Sequence, residues 1–307
     1  AASAQPGWRW PTATSSSFMA SAESVLSGLG VSAEQRDRVH LRAGVEVQAS
    51  GNLTIASDWL LNGDRPGGDA GLLTLRANGN LLINGTVSDG FSAAAAAAEL
   101  SGDTRSWSYR FASGADLSSA DLLATRDQAA GSAATGNLTI ASGRLVRTGA
   151  GSIEMAAGGD IVFAGTTSSG QAYVAGRRAT DQDALHESFF ANQSVKPIVT
   201  EQGGRLEMAA RGGIRAPAPT QFIGNWFWRS GLLDPLNPQT YAGDSMLAWW
   251  SEIGRFQQTA ASFGGGNISV RAGRDVTNLS LMAPTAAWAD SFVVSQANTV
   301  VRNGGDI

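Results

Sequence analysis

The chain has 307 residues, a formal net charge of −4 and a pI near 5.2, which leaves no electrostatic footprint for nucleic acid or an anionic membrane. Only 16% of its residues are charged, against roughly 25% in ordinary globular domains. Its 38 glycines, with abundant Ala, Ser and Thr, suit close turns and not a helical bundle. Cysteine is absent, which excludes disulfides, thiolate metal sites and a Cys nucleophile and, for a secreted chain, points to bacterial export. No apolar run is long enough to cross a membrane as a helix.

Residues 1–38 are predicted to form an extended arm and then a short helix within FMASAESVLSGL (18–29), where Phe18, Val25 and Leu29 share a face and Gly28 and Gly30 cut it short. Val39 opens a regime of short strands: VEV (45–47), LTI (53–55), LTL (73–75) and LLI (81–83). The span from Leu53 to Leu73 fits one turn of a three-stranded coil. The segment 91–135 reads as an insertion, whose alanine run (93–98) favours helix but is too short to stand alone in water.

Winding resumes in GNLTIASGRLVRTGAGSIEMAAGGDIVFAG (136–165), with inward-type residues at Leu138, Ile140, Leu145, Ile153, Met155, Ile161 and Phe163. The period of two marks strands with one buried face. The steps between Leu138, Leu145, Ile153 and Ile161 are too short for a βαβ crossover, which takes about a dozen residues or more. The span from Leu138 to Ile153 is also shorter than that from Leu53 to Leu73, so one coil here loses a strand or the winding is irregular. A second insertion spans 165–202 and a third 216–263, and the length from Ile268 to Ile307 fits two further coils. The chain starts at Ala1 and stops in Gly-Gly-Asp-Ile, the opening of another strand, so both ends read as uncapped and cut from something longer.

A Gly-led formula recurs as Gly51-Asn-Leu-Thr-Ile, Gly79-Asn-Leu-Leu-Ile, Gly136-Asn-Leu-Thr-Ile, Gly204-Arg-Leu-Glu-Met and Gly266-Asn-Ile-Ser-Val. Its Asn residues either ladder from coil to coil or simply mark turns. The expected fold is all-β: one right-handed parallel β-helix (β-solenoid) over 39–307, decorated by the three inserted loops or small subdomains.

The phrases DWLLNGDRPGGDAGLLTLRANGNLLINGTVSDGF (58–91), SWSYRFASGADLSSAD (106–121), WFWRSG (226–231), WWSEIGRFQQ (249–258) and FGGGNISVRAGRDV (263–276) carry a resemblance. Together they resemble the filamentous haemagglutinin family of large secreted bacterial exoproteins. The resemblance implies a β-helical shaft, export by two-partner secretion through an outer-membrane pore protein, and a place at the cell surface. It implies partners among further segments or copies of the same protein and among surface glycans or matrix polysaccharide. It brings no catalytic residues and no cofactor. The function expected is a structural, non-enzymatic segment of an adhesin or biofilm-matrix filament. The alternatives are a polysaccharide-active β-helix enzyme and the shaft of a contact-dependent toxin delivery protein.

Residue chemistry bears on these alternatives. His40 lies beside the apolar pair Val39 and Leu41 and reads as a solvent-facing strand residue. His186, among Asp181, Asp183 and Glu187, reads as part of a solvated loop before a metal site. Glu99, Asp103, Asp116, Asp121 and Asp127, interspersed with Arg105, Arg110 and Arg126, are the carboxylates an enzyme would need to converge. Four tryptophans, Trp226, Trp228, Trp249 and Trp250, crowd the third insertion. They form either a satellite core that fastens it to the shaft or a stacking surface for a sugar or partner.

Overall fold

The computed structural model describes residues 2–3, 19–35, 39, 41–65, 68–96, 100, 105–127, 136–166, 168–179, 199–230, 232–233, 241–242, 248–289, 299–302 and 304–307. Strand β1 (Ala2–Ser3) and helix α1 (Ala22–Gly28) precede six coils. The first coil is β2 (Gly44–Ala49), β3 (Leu53–Ile55) and β4 (Trp59–Leu60), and the second is β5 (Leu72–Ala77), β6 (Leu81–Ile83) and β7 (Val87–Ser88). The third is β8 (Ser108–Ser113), β9 (Leu138–Ile140) and β10 (Leu145–Thr148); the fourth is β11 (Ile153–Ala157), β12 (Ile161–Phe163) and β13 (Gln171–Val174). A hairpin of β14 (Arg177–Arg178) and β15 (Thr200–Glu201) then leaves the winding.

The fifth coil begins with β16 (Leu206–Ala210) and β17 (Ile214–Arg215), departs through β18 (Phe227–Ser230), β19 (Leu232–Leu233), β20 (Tyr241–Ala242) and β21 (Ala248–Ser251), and closes with β22 (Ala260–Ser262). The sixth is β23 (Ile268–Ala272), β24 (Val276–Thr277) and β25 (Leu281–Met282), followed by β26 (Ala286–Ala289) and β27 (Thr299–Arg302). Corresponding strands of successive coils pair in parallel, giving sheets β2-β5-β8-β11-β16-β23, β1-β3-β6-β9-β12-β17-β24 and β4-β7-β10-β13-β22-β25. The protein is a parallel β-helix with lateral insertions.

Register places like upon like. Val45, Leu73, Tyr109, Ile153, Leu206 and Ile268 form one column of the first sheet. Leu53, Leu81, Leu138, Ile161 and Ile214 form a column of the second, and Val87, Val146, Ala172 and Ala260 one of the third. All lie in a single buried cluster. Each fully buried aliphatic side chain contributes roughly 1.5–3 kcal/mol, so the column is the main source of cohesion between coils.

The corner into the second sheet carries a ladder. Asn52 Oδ1 accepts the Asn80 N–H at 2.8 Å, Asn80 Oδ1 accepts the N–H groups of Gly136 and Asn137, and Asn137 Oδ1 accepts that of Asp160 at 2.8 Å. Asp160 Oδ1 extends the series to the Gly213 N–H at 2.8 Å. The Asn residues therefore bond from coil to coil, side chain to backbone. This explains the glycines beside them: a Cβ on Gly79 would lie 2.3 Å from Asn52 Oδ1, and one on Gly159 2.2 Å from Asn137 Oδ1.

Several expectations are corrected. Leu53 stacks on Leu81, well beyond Leu73, and Leu73 stacks on Val45 in another sheet. The short span from Leu138 to Ile153 is no lost strand. Those two residues sit on different sheets, and Leu138 stacks on Ile161. Within the recurring formula, the first three copies open second-sheet strands, but Leu206 and Ile268 open first-sheet strands. The formula encodes a corner, and each coil has more than one.

The insertion bounds also change. Strands β8, β13 and β22 belong to the shaft although they fall within 91–135, 165–202 and 216–263. Conversely, β26 and β27 form a fourth excursion rather than another coil, and among the described residues after them Gly304–Ile307 rejoins the winding. There the Ile268 N–H donates to Asp306 O at 2.8 Å and the Asp306 N–H to Asn267 Oδ1 at 3.0 Å. The two ends of the shaft differ: β1 adds to the second sheet beside β3, whereas in the last coil Val276 is 52% exposed. In α1 and the turn before it the buried residues are Met19 and Leu26, while Leu29 is exposed and Phe18 lies outside the described residues.

Candidate functional site

Parts of the first and third insertions gather on the outer face of the third sheet, while residues 115–127 of the first lie at the first sheet, where Arg76 donates to Asp116 O and Arg211 to Thr125 O. Alternation turns Leu145, Tyr173 and Ala261 outward, so Leu145 packs away from the shaft core, in a flank cluster with Phe91, Trp226, Ile253, Phe256 and Phe263. Tyr173 meets Phe91, Phe256 and Phe263 edge-on at 5.8–6.2 Å between ring centres. Trp226 meets Phe256 edge-on at 5.1 Å. These are favoured geometries for aromatic quadrupoles.

Arg147 is a fully buried cation on this face. Its guanidinium lies 3.8 Å over the Phe91 ring and donates to Ser88 Oγ, Tyr173 Oη and the carbonyls of Ala93, Ala95 and Ala96. The alanine run is therefore no helix over its described residues 93–96: those carbonyls turn onto Arg147 instead of along a helix axis. A buried charge solvated by carbonyl, hydroxyl and ring dipoles holds the first insertion to the shaft.

Beyond the flank stands an antiparallel sheet in the order β18-β21-β26-β27. It is assembled from two excursions, because β21 of the third insertion pairs with β26 of the fourth. One face carries Trp228, Ala248, Trp250, Trp288 and Val300 and packs on Ala179 and Val199 of the β14–β15 hairpin. Trp228 stacks on Trp250 at 6.5 Å with an interplanar angle of 27°. The indole N–H groups of Trp226, Trp228, Trp250 and Trp288 are buried without an acceptor among the described residues, so these rings serve as apolar bulk.

The opposite face presents the row Arg229, Trp249, Ala287 and Val301, one residue from each strand. Arg229 and Val301 are exposed and Trp249 half-buried. Trp249 Nε1 donates to Thr285 Oγ1 at 3.4 Å, a residue two positions before its direct opposite, Ala287. The indole thus reaches diagonally across the neighbouring strand and lies along the sheet, and Ala287 in this row is fully buried.

Of the four tryptophans expected to contact a ligand, Trp249 alone is on this open face. Trp226 and Trp250 are 1% and 4% exposed, whereas Trp228 is half-buried on the covered face, stacked on Trp250 with Arg255 5.4 Å over its ring. The contact reading is corrected for Trp226, which fills the flank cluster, and for Trp250, which lies in the covered face of the sheet. Arg229 and Thr285 were not singled out in the sequence; the WFWRSG phrase held Arg229, but only strand pairing sets it opposite Trp249.

On the outer face of the first sheet, Glu154 receives Arg110 Nε at 2.7 Å and is gripped by Arg205, which also meets Glu207 at 3.0 Å. Burial of the Glu154 carboxyl raises its pKa, but hydrogen bonds and charge from Arg205 and Arg110 outweigh this and hold it below the ordinary value. Asp89 is fully buried and meets Arg65 at 2.8 Å and the Trp107 N–H at 2.6 Å. Asp116 and Asp121 close local turns and Asp127 pairs with Arg211, so they do not converge. Glu99 and Asp103, His40, and His186 with Asp181, Asp183 and Glu187 lie outside the described residues. Among the described residues no three His, Asp or Glu side chains gather to hold a metal, and no helix is long and apolar enough to cross a membrane.

Fold and site together define a parallel β-helix that carries an aromatic lateral head. No family model matches the chain, and neither a curated protein nor a solved structure does.

Proposed function

We propose that this chain is a non-enzymatic segment of a secreted, surface-displayed bacterial adhesin or matrix filament, and that its lateral head is the contact surface. The observation that carries the reading is the open face of the head, where Trp249 lies along a sheet that its neighbouring tryptophans anchor from behind. A column-filled shaft supports a mechanical role, since it presents such a face on a stiff support. The pairing of Glu154 and Asp89 with arginines supports a role without catalysis, because a general acid or base needs a free and suitably poised carboxyl. In this proposal the chain reaches the cell exterior through an outer-membrane secretion pore. Its partners there are surface glycans or matrix polysaccharide and further segments or copies of the same protein.

The test is binding of purified chain to an array of bacterial and host glycans. Trp249→Ala is expected to weaken the bound set about tenfold or more with unchanged circular dichroism. Undiminished binding overturns the head as contact surface, and release of new sugar ends from any polysaccharide by the purified chain overturns the non-enzymatic reading.

A further inference from the structure

We propose that the open face of the head takes an anionic sugar, the ring lying on Trp249 and the carboxylate or sulfate held by Arg229. This rests on the reading of that face as a glycan contact and narrows it to a charge class. Strands β18, β21, β26 and β27 contain two arginines and no carboxylate. Arg302 turns to the covered face, where it lies over Trp288 and approaches Glu201 at 3.5 Å. Arg229 remains on the open face, exposed, with no acceptor or carboxylate partner among the described residues. Its direct cross-strand partner is Trp249, and opposed side chains start about 5 Å apart.

That spacing sets a guanidinium at the rim of an indole surface, a geometry that receives one sugar ring with its acidic substituent at the edge. Guanidinium is a planar, weakly hydrated donor fork matched to carboxylate and sulfate oxygens. Thr285, exposed beside the indole nitrogen, keeps the ring from standing away from the sheet. A neutral sugar would use Trp249 alone and leave Arg229 without a role in binding.

The experiment measures binding of the intact chain to polygalacturonate, dextran sulfate and neutral dextran. Polygalacturonate separates carboxylate recognition from the sulfate recognition that dextran sulfate reports. The expected result is at least about tenfold tighter binding of one polyanion than of dextran, erased by Arg229→Gln and kept by Arg271→Gln, which removes an exposed shaft charge of equal sign. If Arg229→Gln leaves the preference intact, or Arg271→Gln erases it equally, the assignment is overturned. If dextran binds as tightly and Trp249→Ala abolishes that binding, the glycan-contact reading stands and the anionic assignment fails. If Trp249→Ala leaves all three unchanged, both fall.

Discussion

The shaft and the lateral head bury apolar surface in opposite ways. In the shaft each strand meets its counterpart one coil away, and the column at Val45, Leu73, Tyr109, Ile153, Leu206 and Ile268 repeats one environment from coil to coil. Polar needs are met at the corners by the ladder of Asn52, Asn80, Asn137 and Asp160. In the head the sheet joins β21 to β26 across an entire intervening coil, and the indole N–H groups of Trp228, Trp250 and Trp288 find no acceptor among the described residues. The lesson is one of tolerance. The shaft strands leave one buried side-chain polar atom, Arg76 Nε, without a partner among the described residues, whereas the head leaves three indole N–H groups so, because bulky rings cover one side of a small sheet.

The harshest break of that contrast is a charge in the column. Ile153→Asp is expected to cost about 4 kcal/mol or more, since a buried carboxylate there has no partner; chemical denaturation and limited proteolysis should show the third, fourth and fifth coils opening together. Loss confined to the head, or no loss, removes the column as the source of cohesion. Next comes the head's own packing. Trp250→Ala should cost about 3–5 kcal/mol, while Trp250→Phe should stay within about 1.5 kcal/mol because the indole nitrogen has no acceptor to lose among the described residues. Equal losses for the two, read by the same denaturation curves, would mean that the N–H is bonded in solution.

A milder loss than that of Trp250→Ala sharpens the electrostatics of the shaft. The Glu154 pKa is held below its ordinary value in the folded protein, so its contribution is present above the unfolded pKa and is lost as pH falls through the folded one. Wild type should therefore exceed Glu154→Gln by about 1.5–3 kcal/mol at neutral pH, and the two should converge as the solution is acidified below the ordinary carboxyl value of 4.5. A gap that widens on acidification would reverse the assigned sign. Paired pH-dependent unfolding curves read it directly.

How far the sequence reached can be judged from Leu145 and Trp249. Period-two alternation identified the inward residues Leu138, Ile140, Ile153, Met155, Ile161 and Phe163, all in the shaft core. It misplaced Leu145, because Val146 takes the inward position and Leu145 serves the flank cluster. A strand covered on both faces is apolar on both, and alternation no longer tells inside from outside. The Trp-rich phrase was visible, but which ring is left open depended on pairing with strands supplied by another excursion.

By itself the sequence determined the class of fold: short alternating strands, Gly-led corners and steps too short for a crossover permit little besides a solenoid. It also set the chemistry available, with no thiol, few charges and a concentration of tryptophan. Only the tertiary structure decided the register, setting Leu81 rather than Leu73 above Leu53, and Ile161 rather than Ile153 above Leu138. It decided as well that Arg147 would be buried beneath an alanine loop and that Arg229 would face Trp249. The reason is physical. Alternation and turn preference are local and act through the residues beside them, whereas stacking, cover and cross-strand pairing join residues far apart in the chain and emerge only when the coils close on one another.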